Sequence, residues 1–343
     1  MKNFSLLMLA MAALLPAQQA DALRVCATTT DLGALATAVG GDRVVVTTFL
    51  HGPEDPHFLD ARPNMIRACS KADALLFVGL ELEVGWLPVL IANARNQALL
   101  ANAAGSIDAS SVIEKREVPQ GGIDRSMGDV HAGGNPHFLA DPRCGLQVAL
   151  LLRDRFTQLR PADKDGFAAR CELFRQRLCE SMVGAVLAKL YDYDCENLAV
   201  AFERGTLLPL LKQHGDEAKL GGWFAALQPY RDRSVVADHD LWPYFSGRFG
   251  IRVVGFLEPK PGIAPTTSHL TKLVDQMHRD RVGVVLSVPY LDRRNAEFVS
   301  HAAGAQIAEM AHQVAARPSC EDYLATIEHN VEAITKALAA GKE

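Results

Sequence analysis

Short apolar runs and helix-spaced apolar stripes alternate along most of this chain. Leu23 to Thr28 and Val44 to Leu50 read as strands. Between them Asp31 to Val39 has the three-to-four spacing of a helix, and Gly40-Gly41 supplies its stop. Pro63 opens a second helix that runs to Lys71. Ala74 to Val78 is an apolar run of strand length, and Trp86 to Ala94 is helical again. Strands that alternate with helices predict a parallel sheet covered on both faces.

The pattern changes from Pro161 to Asp192, where Phe167, Cys171, Phe174, Leu178, Met182 and Ala185 recur every three or four residues. That spacing predicts one helix of about 45 Å, long enough to connect two lobes rigidly. Cys195 to Gln228 is mixed, with Gly205, Gly215 and Gly221-Gly222, and reads as an inserted helical element. The alternation then returns. Ser234 to Ala237, Arg252 to Phe256 and Val282 to Ser287 are strands, and Trp242 to Phe249 and a Ser268-capped stretch to Arg279 are helices. The expected fold class is α/β, with two similar lobes, each a parallel sheet flanked by helices, joined by one long rigid helix. The expected division is 1–22, a signal peptide; 23–155, an N-terminal lobe; 156–192, the connecting helix; and 193–343, a C-terminal lobe with its insertion near 195–228.

Of the 343 residues, 49% are hydrophobic, enough to bury one large core or two ordinary ones. Lys2, the apolar run Leu6 to Leu15 and the small-residue site Ala20-Asp21-Ala22 have the form of a cleavable secretory signal peptide. Cys26 follows closely, but the charged Arg24 and bulky Val25 before it do not suit lipoprotein processing, so the expected location is a free protein in the periplasm. No later segment is apolar for long enough to insert in a membrane. A formal net charge of -5 gives no electrostatic footprint for nucleic acid. Seven cysteines cannot all pair with one another, and their connectivity is not assignable from spacing.

Eleven histidines are present, and three share a local context. His57 in HGPEDPHF, His137 in GGNPHFLADP and His239 in VVADHDLWPYF each lie in a loop beside a carboxylate or proline. His57 and His239 follow predicted strands, one in each lobe, where ligands of open parallel sheets bind. Neutral imidazole suits Zn2+, and three of them leave one tetrahedral position to fill. Taken singly, each histidine also reads as a solvated or hydrogen-bonded loop residue.

Their surroundings resemble a known family. HGPEDPHFLDARPNMIRACSKADALLFVGLELE, NPHFLADP and ADHDLWPYFSGRFGIRVVGFLEPKPGIAP are similar to the three ligand motifs of the zinc/manganese solute-binding proteins of bacterial ABC importers, cluster A-I type. The predicted long helix and the KLGGWFAAL stretch also have counterparts there. The resemblance implies that His57, His137 and His239 bind metal in an interlobe cleft. It further implies a non-enzymatic monomer that delivers Zn2+, in preference to Mn2+ or Cu2+, to an ABC transporter membrane permease.

Two departures from the family pattern stand out. GAQIAEMAHQV places Ala311 where relatives commonly carry a carboxylate ligand, leaving His312, Glu309 or water as the fourth donor. The loop from Glu114 to Pro136, often histidine-rich in zinc members, holds only His131, with Asp124 and Asp129, and reads as a solvated segment or a weak metal collector. His51 and Asp55 are candidates to orient His57 or are simply turn residues, and Asp238 and Asp240 are candidates to orient His239 or to cap a helix. An open fourth position also fits a secreted zinc hydrolase, although HExxH and Gly-x-Ser-x-Gly motifs are absent. A surface adhesin of the same fold is a third reading.

Overall fold

The computed structural model describes residues 22–121 and 130–341. The signal-peptide segment and the loop residues Asp124 and Asp129 lie outside the described residues. The N-terminal half runs β1 (Leu23–Ala27), α1 (Thr30–Gly40), β2 (Val44–Thr48), α2 (Pro63–Lys71), β3 (Ala74–Phe77), α3 (Leu87–Ala94) and β4 (Ser106–Asp108). Six helices follow, α4 (Pro142–Leu159), α5 (Lys164–Val183), α6 (Ala185–Leu190), α7 (Cys195–Glu203), α8 (Leu207–His214) and α9 (Gly222–Leu227). The C-terminal half contains β5 (Ser234–Ala237), α10 (Pro243–Phe249), β6 (Arg252–Phe256), α11 (Thr267–Asp280), β7 (Val284–Ser287), α12 (Arg293–Ala303), β8 (Gln306–Glu309) and α13 (Tyr323–Ala340).

Both sheets have four parallel strands, in the orders β2-β1-β3-β4 and β6-β5-β7-β8. The two halves therefore repeat one topology. Central strands of such sheets are covered on both faces, which is why β7 is buried at all four positions and reads as an unbroken apolar run. One face of the first sheet packs under α2 and α3 through Met65, Leu75, Trp86 and Leu90. The matching face of the second packs under α11 and α12 through Leu273, Met277, Val285 and Val299. The other two faces share one continuous core with α1, α4, α5, α9, α10 and α13. An apolar interface of that extent holds the lobes as a rigid pair rather than leaving them free to hinge.

Local chemistry explains most helix ends. Thr29 caps α1 by accepting the Leu32 N–H, and Asp141 caps α4 by accepting that of Arg143, with Pro142 at the first helical position. Thr266, rather than the expected Ser268, caps α11. The single helix expected from Pro161 to Asp192 is interrupted. A short turn at Pro161–Asp163 precedes the 20-residue α5, roughly 30 Å long, and Gly184 ends it at φ +83° before α6 begins. Gly184 permits a close backbone approach. A Cβ there would meet Gly221 Cα at 3.1 Å, and the Gly221 N–H donates to Val183 O.

Candidate metal centre

The loops that leave the carboxyl ends of the strands converge between the lobes. His57 lies beyond β2, His239 directly beyond β5, and His137 precedes the turn that leads into α4. One ligand atom from each of the three lies within 4.8 Å of the others, close enough to hold a single metal ion. Their ring centroids are 5.2 to 5.9 Å apart, and the rings meet edge to face. No other group of this kind occurs among the described residues.

Each histidine is set by its own loop. Asp55 Oδ1 accepts the His57 backbone N–H at 2.9 Å and faces the His57 ring Nδ1 at 2.8 Å. That contact points Nε2 of His57 into the cluster, where it is buried with no hydrogen-bond partner. Glu258 Oε2 lies 2.6 Å from His239 Nδ1 and leaves Nε2 of that ring for the centre. His137 is fixed through its backbone, whose N–H donates to Asn135 Oδ1. Asn135 in turn donates to Glu117 and to Asp240 O, which ties the two lobes together at this point.

The electrostatics favour neutral donors at two of the rings. Burial, with the nearby His57 and His239, holds His137 well below the ordinary histidine range. His131 is pushed down to about 4 by burial and the same two neighbours. His239 goes the other way: burial pulls it down, but Glu258 and then Asp238 and Asp240 outweigh that and raise it. Asp55 is held low against its own burial by the His57 contacts. Glu117 is pushed up to about 7 by burial and by the adjacent Asp240, itself raised by burial.

His131, which the sequence reads as part of a solvated segment or a weak metal collector, stacks its ring on His57 at 5.5 Å, and its Nε2 is buried without a partner. It shares a cavity of about 60 Å³ with His137, His239, Glu117 and Asp240. Ala311 offers no donor, and it packs with Ala316 and Cys320. Its backbone is pinned on both sides by Asn330. Glu309 is committed to Arg293 and Arg317. His312 Nε2 meets Glu54 O at 3.0 Å, and burial pushes its pKa down to about 4. Its ring borders a second small cavity beside His137 and Trp242.

Asp55 orients His57 as the spacing suggested, while His51 is exposed and bonds through its backbone, donating its N–H to Glu54 Oε2 and accepting at its carbonyl from Glu54 N–H and Gln313 Nε2. The acceptor for His239 is neither Asp238 nor Asp240. Asp238 accepts two backbone N–H groups, from His239 and Val288, and Glu258 takes the ring. Glu258 lies 19 residues along the chain, and only the pairing of β5 with β6 brings it there.

The family model for "Zinc-uptake complex component A periplasmic" matches residues 25–182 and 219–337. The chain belongs to this family. The unmatched span contains α6, α7 and α8, the helices inserted between the halves. A high-affinity zinc uptake system protein, ZnuA, from Yersinia pestis is 22% identical over 75% of this chain and 73% of its own. A manganese ABC transporter substrate-binding lipoprotein, PsaA, from Streptococcus pneumoniae is 21% identical over 82% and 76%. A crystal structure of ZnuA superposes with TM-score 0.66 at 20% identity, covering 92% of this chain and 99% of that one. The chain is thus a metal ABC transporter substrate-binding protein, of a family whose members are not enzymes.

Proposed function

We propose that this protein captures Zn2+ in the periplasm as a monomer and delivers it to the membrane permease of an ABC importer, after removal of a signal peptide ending at Ala22. In this reading the ligands are Nε2 of His57, Nε2 of His239 and one ring nitrogen of His137. The observation that carries it is the convergence of these three imidazoles, contributed by both halves of the chain, within 4.8 Å. Asp55 and Glu258 hold the far nitrogens of two of them, the arrangement that fixes tautomer and ring direction in histidine metal sites.

Donor chemistry argues for zinc. Three neutral nitrogens and a fourth, open position suit tetrahedral Zn2+, whereas Mn2+ prefers harder oxygen donors and higher coordination. No carboxylate belongs to the converging group among the described residues. Cu2+ binds nitrogen sites more strongly in general, so its exclusion would rest on supply rather than affinity.

Elemental analysis of protein isolated from its native compartment without added metal, followed by competitive titration, tests the proposal. The expected result is one zinc per chain and a clear preference for Zn2+ over Mn2+. Manganese binding as tight as zinc binding would overturn the zinc assignment.

A further inference from the structure

The three converging histidines leave one tetrahedral position to fill, and the residues expected to fill it from the last loop are otherwise engaged. Ala311 has no side-chain donor, Glu309 pairs with Arg293 and Arg317, and His312 sets Nε2 on Glu54 O and its ring against Tyr290 at 4.7 Å. His131 is differently placed. Its ring centroid lies 5.5 Å from that of His57, against 5.2 Å and 5.6 Å for His137 and His239 from the same ring. Two imidazoles on one tetrahedral Zn2+, each bonded at about 2.0–2.1 Å, have ring centres roughly 5 Å apart. His131 is therefore already at ligand range from His57. Nε2 of His57 and Nε2 of His131 are both buried without a hydrogen-bond partner, an unfavourable state that one shared ion would relieve.

The backbone that carries His131 is anchored to its surroundings. Ala132 N–H donates to Glu81 Oε2 at 2.8 Å, Gly134 N–H closes a turn onto His131 O at 3.2 Å, and Asn135 N–H donates to Arg116 O at 2.9 Å. The chain that supplies Glu81 turns sharply, with φ 52° at Leu80 and 67° at Glu81, and Leu80 lies so close that a Cβ on Gly133 would meet it at 3.0 Å. These contacts hold the His131 backbone beside the centre and leave its ring free to turn about two side-chain bonds.

We propose that His131 is the fourth zinc ligand, its Nε2 completing a tetrahedron of four imidazoles. This rests on the three-histidine reading and deepens it. His131 stands outside the group whose ligand atoms lie within 4.8 Å of one another, and only 22° separates its plane from that of His57. The ring must turn out of that stack to aim Nε2 at the ion, and the cavity of about 60 Å³ that it shares with His137 and His239 gives the room. With its proton on Nδ1, a neutral imidazole donates the Nε2 lone pair and adds no charge. Four neutral nitrogens suit Zn2+ and disfavour Mn2+ more strongly than three nitrogens and a water would. They also occupy the open position that a hydrolytic zinc needs. Glu117 and Asp240 line the same cavity and are the carboxylates that would compete for the place, although Glu117 Oε2 already accepts from Asn135 Nδ2 at 3.0 Å.

The test uses the full chain from Leu23, stripped of metal and reloaded with one equivalent of Zn2+, as wild type, His131→Ala, His312→Gln and His57→Ala. X-ray absorption at the zinc edge counts imidazoles, a crystal of the zinc-loaded wild type identifies the donors, and competition with a chromophoric chelator reads affinity. The expected result is four imidazoles in the wild type, and three with one water oxygen in His131→Ala. The affinity of that variant should fall at least about tenfold, because residues that merely orient a ligand are already worth about 10- to 100-fold. Urea unfolding of metal-free His131→Ala should match the wild type, which separates a lost ligand from a damaged fold. Three imidazoles in the wild type, with unchanged affinity in His131→Ala, would overturn the fourth ligand and leave the three-histidine reading in place. Loss of the fourth nitrogen in His312→Gln instead, or an oxygen of Glu117 or Asp240 on the metal, would overturn it equally. Zinc bound as tightly by His57→Ala as by the wild type would defeat the three-histidine reading itself, and this inference with it.

Discussion

Nδ1 of His239, at the end of β5, lies 2.6 Å from Oε2 of Glu258, just beyond β6, and both side chains are almost wholly buried. A carboxylate in that position makes the imidazole a better donor and fixes the direction of its other nitrogen. Glu258→Gln should therefore weaken zinc binding by about 10- to 100-fold at pH 8, measured by competition with a chromophoric chelator. The same carboxylate raises the His239 pKa, so protons compete with metal from a higher pH in the wild type. As pH falls below about 7, wild-type affinity for zinc should fall progressively, and in the variant, already weaker at pH 8, that fall should begin at a lower pH. An unchanged affinity with an unchanged pH dependence would show that Glu258 does not act on the site.

Glu83 makes a separate prediction about stability. Its carboxylate accepts bonds from the Thr28 hydroxyl and the Val78 and Gly79 N–H groups, joining the ends of β1 and β3, and burial pushes its pKa up to about 7. A carboxyl group raised above its unfolded value contributes stability that is complete below about pH 4.3 and is lost as pH rises through the folded value. The loss at pH 8 is on the order of 3 kcal/mol. Glu83→Gln should flatten the dependence of unfolding free energy on pH between 5 and 8, read by urea denaturation of metal-free protein. An equally steep decline in the variant would contradict this role.

Arg248, 1% exposed on α10, makes two hydrogen bonds to Asp141 at the start of α4 and pairs with Glu203 at 2.9 Å. This cluster bridges α4 of the N-terminal half and α10 of the C-terminal half. Removing one member of a buried pair leaves an uncompensated charge, so Arg248→Met should destabilise the fold by about 3–5 kcal/mol. Adding Asp141→Asn, which retains the α4 cap, should recover part of that loss. Denaturation of the single and double variants measures the coupling, and strictly additive effects would argue against it.

Maturation is testable through Cys26. Lipid attachment there requires cleavage just before it, which would delete Leu23, Arg24 and Val25 from their pairing with Val44, Val45 and Val46. Intact mass spectrometry should show an unmodified chain beginning at Leu23. A diacylglyceryl mass on Cys26 would contradict this.

The strands and the repeat of strand and helix were legible because apolar runs in a covered parallel sheet leave little ambiguity. Ser234–Ala237 and Arg252–Phe256 were read to the residue. The long helix was overextended because apolar spacing continues across Gly184, from Met182 to Ala185, and outweighs the local stop that Gly184 supplies at φ +83°. The convergence of His57, His137 and His239 was approachable through loop motifs. The acceptor Glu258 was not, since strand pairing brings it to His239, and neither was the stacking of His131 on His57, which depends on how a glycine-containing loop folds back.

X-ray absorption at the zinc edge, combined with an anomalous difference map from crystals of the zinc-loaded chain, tests the proposed ligands most directly. The account predicts one zinc per chain, with three imidazole nitrogens at about 2.0–2.1 Å supplied by His57, His137 and His239. Zinc bound elsewhere, or held at this place mainly by carboxylate oxygen, would contradict it.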